Sequence, residues 1–204
     1  MTGREIDMHR AFRRTGAALF LLVLGAIGST TTAFARNEDG SWEVGAYIFN
    51  TSFDNEAGIE DAQGGGIRGA YHFKAKHALE IEIDSATSDA RLPLPPGIQP
   101  ATEFDTVKYS LNYVRNLFIK GHEKAIPYTS FGVGMIETDN GTASADSTFY
   151  LIGGGVRFWS TEHFGLRFGG KMYRWRGDGI IAPSKGFFSF DITIGATFLF
   201  GGVQ

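Results

Sequence analysis

The sequence predicts an all-β chain, an eight-stranded antiparallel up-and-down transmembrane β-barrel after a cleaved signal peptide. Three observations predict it. Apolar and polar residues alternate through eight runs separated by turn residues, which is the period of a strand with one oily face. The segments joining those runs are alternately long and short, as in a barrel with loops on one side and tight turns on the other. The last run, Phe187–Phe200, puts Phe188, Phe190, Ile192, Ile194, Ala196, Phe198 and Phe200 on one face. Ser189, Asp191, Thr193, Gly195 and Thr197 fall on the other, and Leu199 alone breaks the pattern. A run of roughly ten residues or more is what a tilted strand needs to cross a bilayer.

Taken in order, the chain begins with an export signal. Arg10, Arg13 and Arg14 make a basic start, and Ala17–Ile27 is an apolar stretch too short to span a membrane as a helix. Ala33-Phe34-Ala35 then supplies a small-x-small cleavage site. Residues 1–35 are therefore assigned to the signal peptide and residues 36–204 to the barrel domain. The leader carries four arginines against two acids, so the remainder is two units more acidic than the whole chain at −3. That balance, with no basic stripe interleaved by aromatics, speaks against nucleic acid as a partner. The 28 glycines are many for this length, and the absence of cysteine excludes disulfides and thiolate metal sites.

The predicted strands follow. Trp42–Phe53 sets Trp42, Val44, Ala46 and Ile48 on one face. Gly66–Phe73 does the same with Ile67, Gly69, Tyr71 and Phe73. His77–Ser85 opposes Leu79, Ile81 and Ile83 to Glu80, Glu82 and Asp84. Thr106–Phe118 opposes Val107, Tyr109, Leu111 and Tyr113 to Lys108, Ser110 and Asn112. Ile126–Ile136 opposes Thr129, Phe131, Val133 and Met135 to Tyr128, Ser130, Gly132 and Gly134. Phe149–Ser160 opposes Tyr150, Ile152, Val156 and Phe158 to Gly153, Gly155 and Arg157. Phe164–Arg176 opposes Leu166, Phe168 and Met172 to Arg167 and Lys171, and Phe187–Phe200 closes the set. Long connections are expected at 54–65, 86–104, 137–147 and 177–185. Short ones are expected at Lys74–Lys76, 119–125 and Thr161–His163. An even strand count puts both termini on the short-turn side.

Alternation alone fits a soluble barrel as well as a membrane one; the direction of the oily face separates them. Three features turn it outward. Glycines crowd the polar face, as a narrow interior requires where large side chains need small neighbours. That face also holds both signs of charge: Glu43, Glu80, Glu82, Asp84 and Asp191 against Arg68, Lys108, Arg157, Arg167 and Lys171. Buried charges must pair, and these ten are predicted to form a structural network in the lumen. Asp191, on the strand beside that of Arg167, is the candidate acid for it. Third, the oily face is rich in aromatics and has no helix or second sheet to cover it. Trp42, Phe73, Phe118, Phe158, Phe164 and Phe200 are expected at the short-turn rim, and Tyr173, Trp175 and Phe188 at the long-loop rim. Tyr173 and Trp175 share the parity of Lys171, which calls for a bulge or an exit from the bilayer there.

The stretch AIPYTSFGVGMIETD, followed by LIGGGVRFWSTEHFGLRFGGKMYR, resembles the small outer-membrane β-barrel family. That group includes the barrel domain of outer membrane protein A and related opacity-type surface proteins. The resemblance covers most of residues 37–202 and specifies fold better than function. It implies a Gram-negative outer-membrane location, with the long loops extracellular and both mature termini periplasmic. The partners it implies are outer-membrane lipid and lipopolysaccharide, the barrel assembly machinery during insertion, and an extracellular ligand of unknown kind. In such proteins the closing strand also serves as the insertion signal. The chain ends at the barrel, so the wall-anchoring role of larger relatives is not carried over.

Chemistry finds little support in the residues, and no catalytic residue, cofactor or metal is assigned. His72, His77, His122 and His163 all fall at short turns, where they read as solvated turn residues rather than a metal cluster. A membrane-embedded lipid-modifying enzyme needs a base next to a serine, and no histidine lies on the oily face near the long loops. Glu80 and Glu82 have the look of a glycosidase pair but serve better to neutralise cations across the lumen. Gly64-Gly65-Gly66 and Gly153-Gly154-Gly155 lack the Lys-Ser/Thr of a phosphate loop. Asn140-Gly141 reads as a turn. The reading is a structural or surface-interaction protein with no open pore and no catalysis; the alternatives are a lipid-modifying enzyme, a narrow conductance or a loop-borne adhesin.

Overall fold

The computed structural model describes residues 39–54, 60–89, 103–119, 124–141, 143–176 and 186–201. The predicted signal peptide, residues 1–35, lies outside them. Eight strands follow one another: β1 (Ser41–Phe53), β2 (Ala62–Lys74), β3 (His77–Asp89), β4 (Glu103–Asn116), β5 (Ala125–Asp139), β6 (Ser144–Trp159), β7 (Phe164–Arg176) and β8 (Gly186–Gly201). Each pairs antiparallel with the next, and β1 pairs with β8, so the sheet closes into a barrel. Closure satisfies the backbone groups that an open edge would leave unpaired, which a lipid environment demands.

Side chains alternate in and out along every strand, and the outward set is the oily one. Ile81, Phe131, Tyr150, Ile152 and Ile192 are each about 60% exposed or more. The outward apolar run on β8 from Phe188 to Phe200 covers roughly 40 Å of strand, which a tilt of about 40° turns into roughly 30 Å of height. That matches a bilayer's hydrocarbon core. An unbroken apolar band of this extent is not carried by water-soluble monomers; it is a lipid-facing surface.

Several strands run further than the sequence indicated. β2 begins at Ala62, so Gly64, Gly65 and Gly66 pair within the sheet, opposite Phe49, Ile48 and Tyr47. β3 continues to Asp89. The largest difference is at β5 and β6, which stay paired out to Asp139 and Ser144. The expected long connection at 137–147 shrinks to a tight turn at Asn140–Ala143. Gly141 adopts a positive φ of 78° there, and Ala143 donates its backbone N–H to the Asn140 side chain. The Asn-Gly turn signal outweighed the polar composition around it.

β7 runs without a register shift against both of its neighbours. Tyr173 and Trp175 therefore point inward, at 2% and 3% exposure, while Arg174 and Arg176 face outward. Of the two expectations for this point, a bulge or an exit from the bilayer, the bulge is ruled out, and the place of Tyr173 and Trp175 in an outer aromatic girdle is corrected. Inside, glycines sit against large rings. A Cβ on Gly155 would land on the Phe168 carbonyl and the Tyr128 hydroxyl, and one on Gly195 would strike Tyr47. Small residues thus clear the space that Tyr47 and Tyr128 fill.

Candidate functional site: the barrel interior

All ten charged residues assigned to the lumen from sequence are buried inside the barrel. They form three tiers. Nearest the short turns, Glu43 meets Arg157 at 3.3 Å, Arg167 at 3.8 Å and His72 Nε2 at 3.0 Å. Thr197 Oγ1 donates to the same carboxylate at 2.7 Å. Glu80 receives both Nη atoms of Arg167 in a forked pair, the geometry in which a guanidinium holds a carboxylate best. Arg157 also donates to the Asn116 side chain. Both guanidinium groups lie over the Tyr128 ring.

In the middle tier Glu82 collects Lys171 at 2.5 Å, the Asn112 amide at 2.8 Å and Arg68 at 3.6 Å. Arg68 stacks on Tyr47, 3.9 Å from its ring centre. Above it, Lys108 Nζ sits 2.6 Å from Asp191 and 3.9 Å from Asp84. Tyr47 donates its hydroxyl to Asp84, and Thr51 donates to Asp191 at 2.5 Å. Every acid in the lumen thus has a cation or a hydroxyl on it, as burial requires.

The partners are not those expected. Asp191 pairs with Lys108, across the lumen on β4, and not with Arg167. In the sheet Arg167 lies opposite Gly195, while Asp191 lies opposite Lys171. Four residues of strand separate Asp191 from the level of Arg167, roughly 13 Å. Arg167 reaches instead to Glu80 on β3. Side chains as long as Arg and Lys span this narrow lumen to the facing wall, as Arg167 and Lys108 do, and a strand list does not record which walls face.

Above the charges the interior turns apolar. Tyr47, Phe49, Phe53, Phe104, Phe149, Tyr173, Trp175 and Phe187 form one buried cluster, at the end where the longer connections are. Lys108 is its floor, with Nζ 4.6 Å from the Phe49 ring centre and 4.5 Å from that of Tyr173. At the opposite end Ile126, Trp159 and Leu199 make a smaller cluster. Leu199, the exception on the polar face of the last strand, is the residue that completes it. Apart from Tyr173 and Trp175, whose parity with Lys171 was noted, these inward aromatics were not expected in the lumen, although each shares the parity of an inward charge on its own strand.

Of the histidines read as solvated turn residues, His163 is exposed in its turn, and His72 parts from expectation. His72 is buried on Glu43 rather than solvated. The His77 ring meets the Tyr113 hydroxyl, and His163 Nδ1 lies 3.0 Å from the Leu199 carbonyl. His122 lies outside the described residues. No group of three or more metal-ligating side chains occurs among the described residues. Glu80 and Glu82, with the look of a glycosidase pair, are each taken up by a separate cation.

Comparison with solved structures settles what kind of barrel this is. Neisserial surface protein A superposes with a TM-score of 0.59 at 14% identity, over 78% of this chain and 99% of that one. The outer membrane protein OprG from Pseudomonas aeruginosa gives 0.58 at 13% identity, over 83% and 100%. Ail, the attachment invasion locus protein of Yersinia pestis, gives 0.51 at 14%, over 79% and 99%. This chain has the fold of the small outer-membrane β-barrels. At such identities the likeness is one of fold. No protein-family model matches the sequence of this small barrel, and no curated protein does.

Proposed function

We propose that the protein is a bacterial outer-membrane barrel that acts through its surface, with no open pore and no catalysis of its own. In this reading the longer connections face the cell exterior, both mature termini face the periplasm, and the interior is structural. The observation that carries it is the filled lumen: a three-tier ion-pair plug between an aromatic cluster at one end and the Trp159 cluster at the other. An eight-stranded barrel is just wide enough for its side chains to fill, and here each acid of the fill meets a cation or a hydroxyl. The described histidines point away from nucleophilic chemistry, since their ring nitrogens engage Glu43, Tyr113 and the Leu199 carbonyl rather than a serine. Names among the similar structures, a surface protein and an attachment invasion protein, support the surface role.

The test is conductance. The purified barrel inserted into planar bilayers is expected to give no stable single-channel steps in molar salt. Large, long-lived currents would overturn the reading. Hydrolysis of labelled lipopolysaccharide or phospholipid by the reconstituted barrel would overturn the non-catalytic part.

A further inference from the structure

We propose that the outer wall of the barrel, at its long-loop end, binds a phosphate-bearing lipid of the adjoining leaflet. Its phosphate rests on Arg174 and Arg176, and an acyl chain lies in the groove beside them. The inference rests on the barrel's spanning a membrane. Arg174 and Arg176 both face outward on β7, about 7 Å apart as residues two positions apart on a strand are. Neither guanidinium has a carboxylate partner among the described residues; that of Arg174 lies 5.8 Å from the Phe188 ring centre. Cations at the edge of a lipid-facing band, with no carboxylate on them among the described residues, attract an anionic headgroup. Guanidinium forks match phosphate oxygens in pairs, and a charge costs little near the interface although it is expensive at the midplane.

Register makes the site specific. Tyr150 on β6, Arg174 on β7 and Phe188 on β8 stand in one cross-strand row. With Ile152 and Met172 one step deeper, they line an outward groove of about 250 Å³. The groove is apolar below and cationic above, which is the order of an acyl chain beneath its headgroup. Charge elsewhere around this end is of the other sign. Asp89 faces Glu103, Asp105 faces Asp139 and Glu137 faces Asp146 across β3 to β6, and all six carboxylates point away from the lumen. Among the described residues the outward cations at this end are confined to β7, so an anionic headgroup is attracted to this side and repelled from the other.

The full barrel in a neutral detergent, probed with lipid A, diacylglycerol and inorganic phosphate, tests it by native mass spectrometry and titration. Lipid A is expected to stay bound to the wild type and to bind about tenfold more weakly to the Arg174→Gln/Arg176→Gln variant. Arg115→Gln, an outward arginine at the opposite end, should match the wild type. Diacylglycerol, which lacks phosphate, should not discriminate. Should the double variant fail to fold, Met172→Ala/Phe188→Ala opens the groove and should give a loss of the same kind. Equal retention of lipid A by wild type and variants overturns the inference alone, provided the barrel still needs detergent. Displacement of lipid A by millimolar inorganic phosphate overturns it too, by making the site an ion site. A barrel soluble without detergent overturns it together with the membrane reading.

Discussion

The sharpest prediction concerns the forked pair between Arg167 and Glu80. Both side chains are almost wholly buried, at 1% and 0% exposure, so neither charge has water to fall back on. With charge centres about 4 Å apart and an effective dielectric near 20, their attraction is about 4 kcal/mol. Arg167→Gln keeps much of the volume but leaves Glu80 without the cation that hydrogen-bonds it, and should cost about 3–5 kcal/mol. Glu80→Gln is milder, about 2 kcal/mol, because Arg167 keeps Glu43 at 3.8 Å and the Tyr128 ring. The double variant leaves two amides that hydrogen-bond one another. It should be more stable than Arg167→Gln alone, with a coupling of about 3 kcal/mol. The assay is urea unfolding in lipid vesicles, followed by the fluorescence of the three tryptophans. Arg167 with Asp191 is the control cycle, since groups that far apart should add within about 0.5 kcal/mol. Additivity between Arg167 and Glu80, or a larger loss from Glu80→Gln than from Arg167→Gln, would refute the pairing.

Other outcomes follow from the same structure. Ile192 points into lipid and Thr193 into the lumen, so Ile192→Arg should cost roughly 2–4 kcal/mol if it lies near the midplane. Thr193→Val, which loses one weak bond to the Gly169 carbonyl, should cost about 1 kcal/mol or less in the same urea assay; equal costs would undo the assigned faces. Gly155→Ala should destabilise by about 1–3 kcal/mol because its Cβ has no room. Gly69→Ala, with nothing within 4 Å, should be neutral or gain up to about 1 kcal/mol. Trypsin added to intact cells should cut after Arg91 if the long connections face outward; cleavage only after the outer membrane is opened would reverse the topology.

Much of this protein was fixed by its sequence, because a strand's side-chain period of two is a local property. Ile192 beside Thr193, or Glu80, Glu82 and Asp84 between Leu79, Ile81 and Ile83, declare their faces without reference to any other strand. From that came the strand number, the oily exterior and the charged interior. Polar composition proved a poorer guide to strand ends, as at β5 and β6, where hydrogen bonding continues past the apolar residues. Tertiary structure alone decided who meets whom inside. Arg167 finds Glu80 and Lys108 finds Asp191 across the lumen, and these partnerships depend on the closed barrel's stagger and on which walls face, neither of which any single strand encodes. The same holds for Trp175. Its parity placed it inward, yet only a β7 that runs true against β6 and β8, facing Phe149 and Phe187 at its own level, makes an indole a core residue rather than an interface anchor.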